Sequence, residues 1–121
     1  MSNDIKTHKD LKAWQESMKL AKAVYELTNK FPKEEVYGLS SQMRRAAVSV
    51  PSNLAEGAAR ASNKEFIQFL YIALGSLSEL ETQWILAKGL EMTPMVPEDF
   101  IDPIRKMLLG LIRTVKKRIK S

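Results

Sequence analysis

Two columns of residues run side by side through the middle of the chain, and both repeat every three or four positions. One is apolar: Leu39, Met43, Ala46, Ala47, Val50 and Leu54. The other is polar: Gln42, Arg45, Ser49, Asn53 and Glu56. Only a helix places residues at that spacing on one face. A helix facing water on its polar side usually carries Lys and Glu there. This one carries Gln, Arg, Ser and Asn, which make directed hydrogen bonds. We therefore expect a satisfied polar network at a contact between helices or between subunits, joined by Arg44 and by Glu79 from further along the chain. In that network Arg44 or Arg45 would meet Glu79 or Glu56. An unpaired group in such a place is costly.

The same periodicity recurs in three other segments, and no segment alternates as a strand would. The first runs from about Asp10, a plausible N-cap, to Phe31. Leu11, Trp14, Met18, Ala21 and Tyr25 form one apolar column, and Leu20, Val24, Leu27 and Phe31 form another. Together they cover more of the helix than one buried side requires. Phe31-Pro32 ends the segment. The second helix is expected over about 34–59, with Pro51 inside it. Proline there either kinks the helix or opens a new one; a kink is preferred, because both columns keep phase across it.

The third helix is expected over about 62–89, opened by a Ser62/Glu65 capping box and stopped at Gly89. Phe66, Phe69, Leu70, Ala73, Leu77, Leu80, Trp84 and Ala87 share a broad face that Ile67, Leu74 and Ile85 widen. Gly75 and Ser76 offer a place for close helix approach. A loop with Pro94 and Pro97 leads to a fourth helix over about 98–120. Its apolar face is Ile101, Ile104, Leu108, Leu111, Ile112, Val115 and Ile119. Its opposite arc carries Arg105, Lys106, Arg113, Lys116, Lys117 and Lys120. Four such helices with short connections make an all-α, antiparallel, up-down-up-down four-helix bundle, a single domain over residues 1–121.

Composition bounds the chemistry. There is no cysteine and only one histidine, His8, so thiolate metal sites and disulfides are excluded. A di-iron bundle needs Glu-x-x-His pairs, and none occurs; no metal and no cofactor is expected. The methionines suit core and loop packing. Ser49 as a nucleophile with Glu56 as base would need an activating neighbour that the sequence does not place there, so no catalytic residue is assigned and no enzyme is expected. No apolar run approaches the roughly 20 residues of a membrane span, and the N-terminus has no signal core. A cytoplasmic location and no membrane partner are the resulting expectations.

Charge is distributed unevenly along a chain of net charge +5. Residues 1–33 and 105–121 carry an excess of Lys and Arg, and residues 34–104 an excess of Asp and Glu. The cations of the fourth helix either bind phosphates or solvate a helix end. No aromatic residue interleaves them in sequence, so base stacking is not expected from that helix. The wide apolar faces of the first and third helices suit a core plus a self-association surface better than a ligand cavity.

The segment from Gln42 to Gly57, QMRRAAVSVPSNLAEG, resembles the helix-two signature of the bacterial four-helix-bundle family known as 23S rRNA intervening-sequence proteins, or S23 ribosomal proteins. The segment from Phe69 to Gln83, FLYIALGSLSELETQ, resembles its helix-three signature, and Asp10 to Trp14, DLKAW, also matches. The resemblance spans about residues 8–118. It implies a small bundle that assembles as a ring-like homopentamer. It also implies kinship with the accessory variability proteins of diversity-generating retroelements, which form a basic pentamer engaging a reverse transcriptase and nucleic acid. The expected function is a non-enzymatic oligomeric module that binds rRNA or another structured nucleic acid through a basic surface. The alternative is a protein-protein scaffold, for example for a reverse-transcriptase-like partner.

Overall fold

The structure is a computed structural model that describes residues 7–120, excluding the side chain of Lys120. Four helices account for nearly all of it: α1 (Lys12–Thr28), α2 (Leu39–Ala58), α3 (Asn63–Gly89) and α4 (Glu98–Lys120). Their neighbours fix the directions. Residues of α1 near its start, such as Trp14, line a groove with Ala55 near the end of α2. Ser49 of α2 meets Ser76 of α3, while Gly57 lies against Phe66 and Phe69. Tyr71 of α3 meets Lys116 of α4, and Glu81 meets Arg105. In each pair of helices, position rises along one as it falls along the other. The bundle is antiparallel, as expected.

The core is built from the predicted columns. Leu39, Met43, Ala46, Ala47, Val50 and Leu54 are all buried, with Leu70, Ala73, Leu77, Leu80, Trp84 and Ala87 from α3, and Ile101, Ile104, Leu108, Ile112 and Val115 from α4. Each large aliphatic side chain buried this way contributes roughly 1.5–3 kcal/mol. The α1 columns divide. Leu20, Val24, Leu27 and Phe31 are buried, whereas Met18 and Tyr25 remain exposed. Ile85, expected to widen the α3 face, is also exposed.

Several boundaries differ from expectation, for local reasons. Asp10 does not cap α1: it closes a single 3-10 turn over His8–Asp10 whose N-cap is Thr7, with Thr7 Oγ1 accepting from Lys9 N–H and Thr7 N–H donating to Asp10 Oδ2. α1 therefore starts later, behind Leu11, which offers no side-chain cap. α2 begins five residues past the expected start of 34. A 3-10 turn (Lys33–Glu35) precedes Gly38, whose backbone is non-helical. The Glu35 carboxylate accepts from Leu39 N–H at 3.2 Å and replaces the missing cap. α2 then runs unbroken through Pro51. At the start of α3, Ser62 Oγ accepts from Glu65 N–H at 3.2 Å. At its end the left-handed residue is Glu91, with φ 63°, not a glycine. Met92 N–H reaches back to Ala87 O and Glu91 N–H to Lys88 O, which terminates the helix as a Schellman motif.

The close approach of α2 and α3 also falls elsewhere than expected. Gly75 is exposed, and a Cβ built there meets nothing within 4 Å. The contact is made at Gly57, where a Cβ would lie 2.7 Å from Phe69 Cβ.

Candidate nucleic-acid interface

Antiparallel threading brings the start of α1, the end of α2, the start of α3 and the end of α4 to one pole of the bundle. Each of those termini carries cations. They are Lys9 and Lys12 ahead of and within α1, Arg60 after α2, Lys64 in α3, and Arg113, Lys116, Lys117 and Arg118 in α4. All of these side chains are exposed. Lys120 belongs to the same end by position; its side chain lies outside the described part. Cations in the last turns of α4 also oppose the negative end of the helix dipole.

Asp10, Glu56 and Glu65 lie among these cations, and the opposite pole carries more acids than cations. Glu34 and Glu35 precede α2, Glu91 follows α3, and Glu98, Asp99 and Asp102 open α4, against Lys30, Lys33 and Lys88. A helix of about 20 residues is roughly 30 Å long. Screening acts over roughly 8 Å at physiological salt. The acidic pole therefore does not cancel the field at the basic one.

Not every predicted cation is available to a phosphate. Arg105 is half-buried. Its guanidinium donates to Glu81 Oε1 at 2.5 Å and to Asp102 Oδ1 at 3.1 Å, which ties α4 to α3. Arg60 pairs with Glu56 at 2.9 Å and lies 4.9 Å over the Phe69 ring. Lys106 and Arg113 are exposed. Lys116 Nζ lies 5.3 Å from the centroid of Tyr71.

The polar column of α2 is not a single network. Ser49 Oγ and Ser76 Oγ share a hydrogen bond of 2.8 Å, and Asn53 Nδ2 donates to Ser49 O at 2.8 Å and to Ser49 Oγ at 2.9 Å. This knot joins α2 to α3. Gln42, Arg45, Ser49 and Glu79 line an open hollow of about 380 Å³ beside it. Glu79 accepts from Gln83 Nε2 at 3.4 Å, and Glu56 turns to Arg60. Arg44 points the other way. Its Nε–H donates to Thr28 Oγ1 at 2.7 Å, its second guanidinium arm to Asn29 Oδ1 at 2.8 Å, and it lies 4.8 Å over Tyr25. The Thr28 hydroxyl in turn donates to Val24 O. The expected pairing of Arg44 or Arg45 with Glu56 or Glu79 is thus absent among the described residues. Arg44 sits about 100° further round the helix from the polar column and is drawn to α1.

Among the described residues, two of the exposed apolar surfaces lie on α1–α3. Trp14, Met18, Ala21, Val48, Pro51 and Ala55 line a groove of about 270 Å³ between α1 and α2. On α3, Tyr71, Ile72, Ile85 and Leu86 are exposed, and no Lys or Arg occurs between Lys64 and Lys88. A solvated helix face of that length normally carries several cations. No helix among the described residues is long and apolar enough to cross a membrane.

The family model for 23S rRNA-intervening sequence proteins matches residues 9–113. The chain belongs to this family. A comparison with curated proteins finds no match.

Proposed function

We propose that this member of the 23S rRNA-intervening sequence family is a non-enzymatic, cytoplasmic binding module. It self-associates into a closed ring and holds structured RNA, rRNA in the first instance, against its basic pole. The observation that carries this reading is the segregation of charge by topology. Cations distant in sequence outnumber acids at one end of the bundle, and acids outnumber cations at the other. Copies arranged side by side would stack their basic poles into one continuous positive face, and multivalency would multiply a modest contact.

Self-association is supported by the two unlike apolar surfaces, the α1/α2 groove and the cation-free face of α3. A two-fold dimer buries one patch against itself, whereas a ring joins two different patches head to tail. The number five comes from the family resemblance. The reading of the protein as a scaffold for a protein partner, such as a reverse-transcriptase-like enzyme, is favoured by the same α3 face, which suits a protein surface better than a phosphate.

Light scattering and filter binding test both parts. The expected mass is that of several chains. A 23S rRNA fragment should bind with steep salt dependence. If about six phosphates are contacted, affinity falls about a thousandfold between roughly 50 and 200 mM salt. A monomeric mass would remove the ring. An affinity flat in salt would remove the electrostatic mechanism and leave the scaffold reading.

A further inference from the structure

We infer that Tyr71 is a stacking platform for an unpaired nucleobase, so that the basic pole prefers RNA with single-stranded segments over uniform duplex. The inference rests on the proposal that this pole binds RNA, and deepens it by naming the form of RNA.

Along the sequence the cations of α4 have no aromatic neighbour. The fold supplies one from another helix. Tyr71 projects from α3, is 46% exposed, and lies with its ring 5.3 Å from Lys116 Nζ. On α4, Arg113 lies three residues before Lys116 and shares its side of the helix. The ring is therefore at the edge of a row of phosphate-binding groups. An exposed aromatic in that setting offers a base a π-face, while the adjacent ammonium takes the backbone charge of the same nucleotide. Lys116 over the ring keeps the site compact until a base displaces it toward a phosphate. Nothing in this arrangement reads base edges, so the contact tolerates any sequence. In a regular A-form duplex the bases are stacked on one another and no face is free for Tyr71, whereas loops, bulges and ends present unstacked bases. Tyr71 meets α4 through Lys116, whereas Ile72, the next residue, is turned about 100° round α3, so Tyr71 can serve RNA while Ile72 serves self-contact.

The test compares the intact protein with Tyr71→Ala, Tyr71→Phe and Lys116→Gln. The probes are an unstructured oligouridine and a blunt RNA duplex of equal phosphate number, each titrated at several salt concentrations. Tyr71→Ala should weaken oligouridine binding by about 5- to 150-fold, leave the duplex unchanged and leave the salt slope unchanged, because no phosphate contact is lost. Tyr71→Phe keeps the ring and should bind as the parent does. Lys116→Gln should weaken both probes and reduce the salt slope by about 0.7–0.9. Sedimentation of Tyr71→Ala should give the parental mass.

Three results overturn the inference while leaving RNA binding by the pole intact. They are an unchanged oligouridine affinity in Tyr71→Ala, an equal loss for both probes, and a changed oligomeric mass, which would place Tyr71 in the self-contact. A parent protein that binds neither probe removes the RNA reading itself and this inference with it.

Discussion

Replacing Gly57 by alanine should loosen the bundle, although alanine is the better helix former. The Cβ it introduces would stand 2.7 Å from Phe69 Cβ and 3.0 Å from Phe66 Cδ1. Carbon atoms in ordinary contact are about 3.5–4.0 Å apart, so something must move by about 1 Å. Phe69 Cβ is anchored to its own backbone, so the movement falls on the spacing of α2 and α3. Overpacking of this kind costs about 1–3 kcal/mol, against a propensity gain of up to about 1 kcal/mol. The net is a loss of about 0.5–2 kcal/mol. For 121 residues the unfolding entropy is about 0.25 kcal/mol/K, so Tm should fall by about 2–8 °C. Gly75→Ala is the matched control, because a Cβ there meets nothing within 4 Å. It should raise stability by about 0.5–1 kcal/mol. Thermal melts of both variants and the parent, repeated over a range of chain concentrations to separate folding from assembly, give the comparison. A Gly57→Ala protein as stable as the parent, or more so, would refute the close approach.

Other substitutions separate residues that look alike in sequence. Arg44→Ala removes two charge-assisted hydrogen bonds and a cation–π contact to α1, and should cost about 1–3 kcal/mol in urea denaturation; Arg45→Ala, which loses no side-chain hydrogen bond among the described residues, should stay within about 0.5 kcal/mol. Arg105→Ala breaks the bridge from α4 to Glu81 and should lower stability by about 1–2 kcal/mol, while RNA affinity at fixed salt changes by less than about twofold, because this cation already faces two carboxylates. Glu91→Gly relieves a side chain held at φ 63° and should raise Tm by an amount worth about 1 kcal/mol.

Hydrophobic period made the fold legible. The columns of α2 and α4 are buried almost residue for residue, because a 3.6-residue repeat decides which face turns inward. Period says nothing about which neighbouring helix a side chain meets, and the differences arise there. Arg44 and Arg45 are adjacent in sequence, yet the 100° step between them sends one to Thr28 on α1 and leaves the other at the α2/α3 hollow. Gly75 sits beside Ser76 and reads as a contact, but it faces outward; Gly57, to which the sequence assigns no contact, carries it. Glu91 ends α3 in the left-handed conformation for which Gly89, two residues earlier, is the residue type suited. The basic pole was half legible. The cations of α4 stand together in sequence, but their company with Lys12, Lys64 and Tyr71 depends on the axial register of four helices. Tyr71 carried one detectable signal, an aromatic residue on the outward side of α3 where a polar one would be expected.

The proposed RNA binding by this bundle depends on the placement of positive charge at one end. The most direct measurement is the salt dependence of binding to a 23S rRNA fragment for two paired charge reversals, Arg113→Glu with Lys117→Glu at the basic pole and Lys30→Glu with Lys33→Glu at the acidic one. The first pair should weaken binding by at least about tenfold and flatten the salt slope by about 1.4–1.8, while the second leaves both near the parent values. Equal losses from the two pairs, or none from the first, would contradict the account.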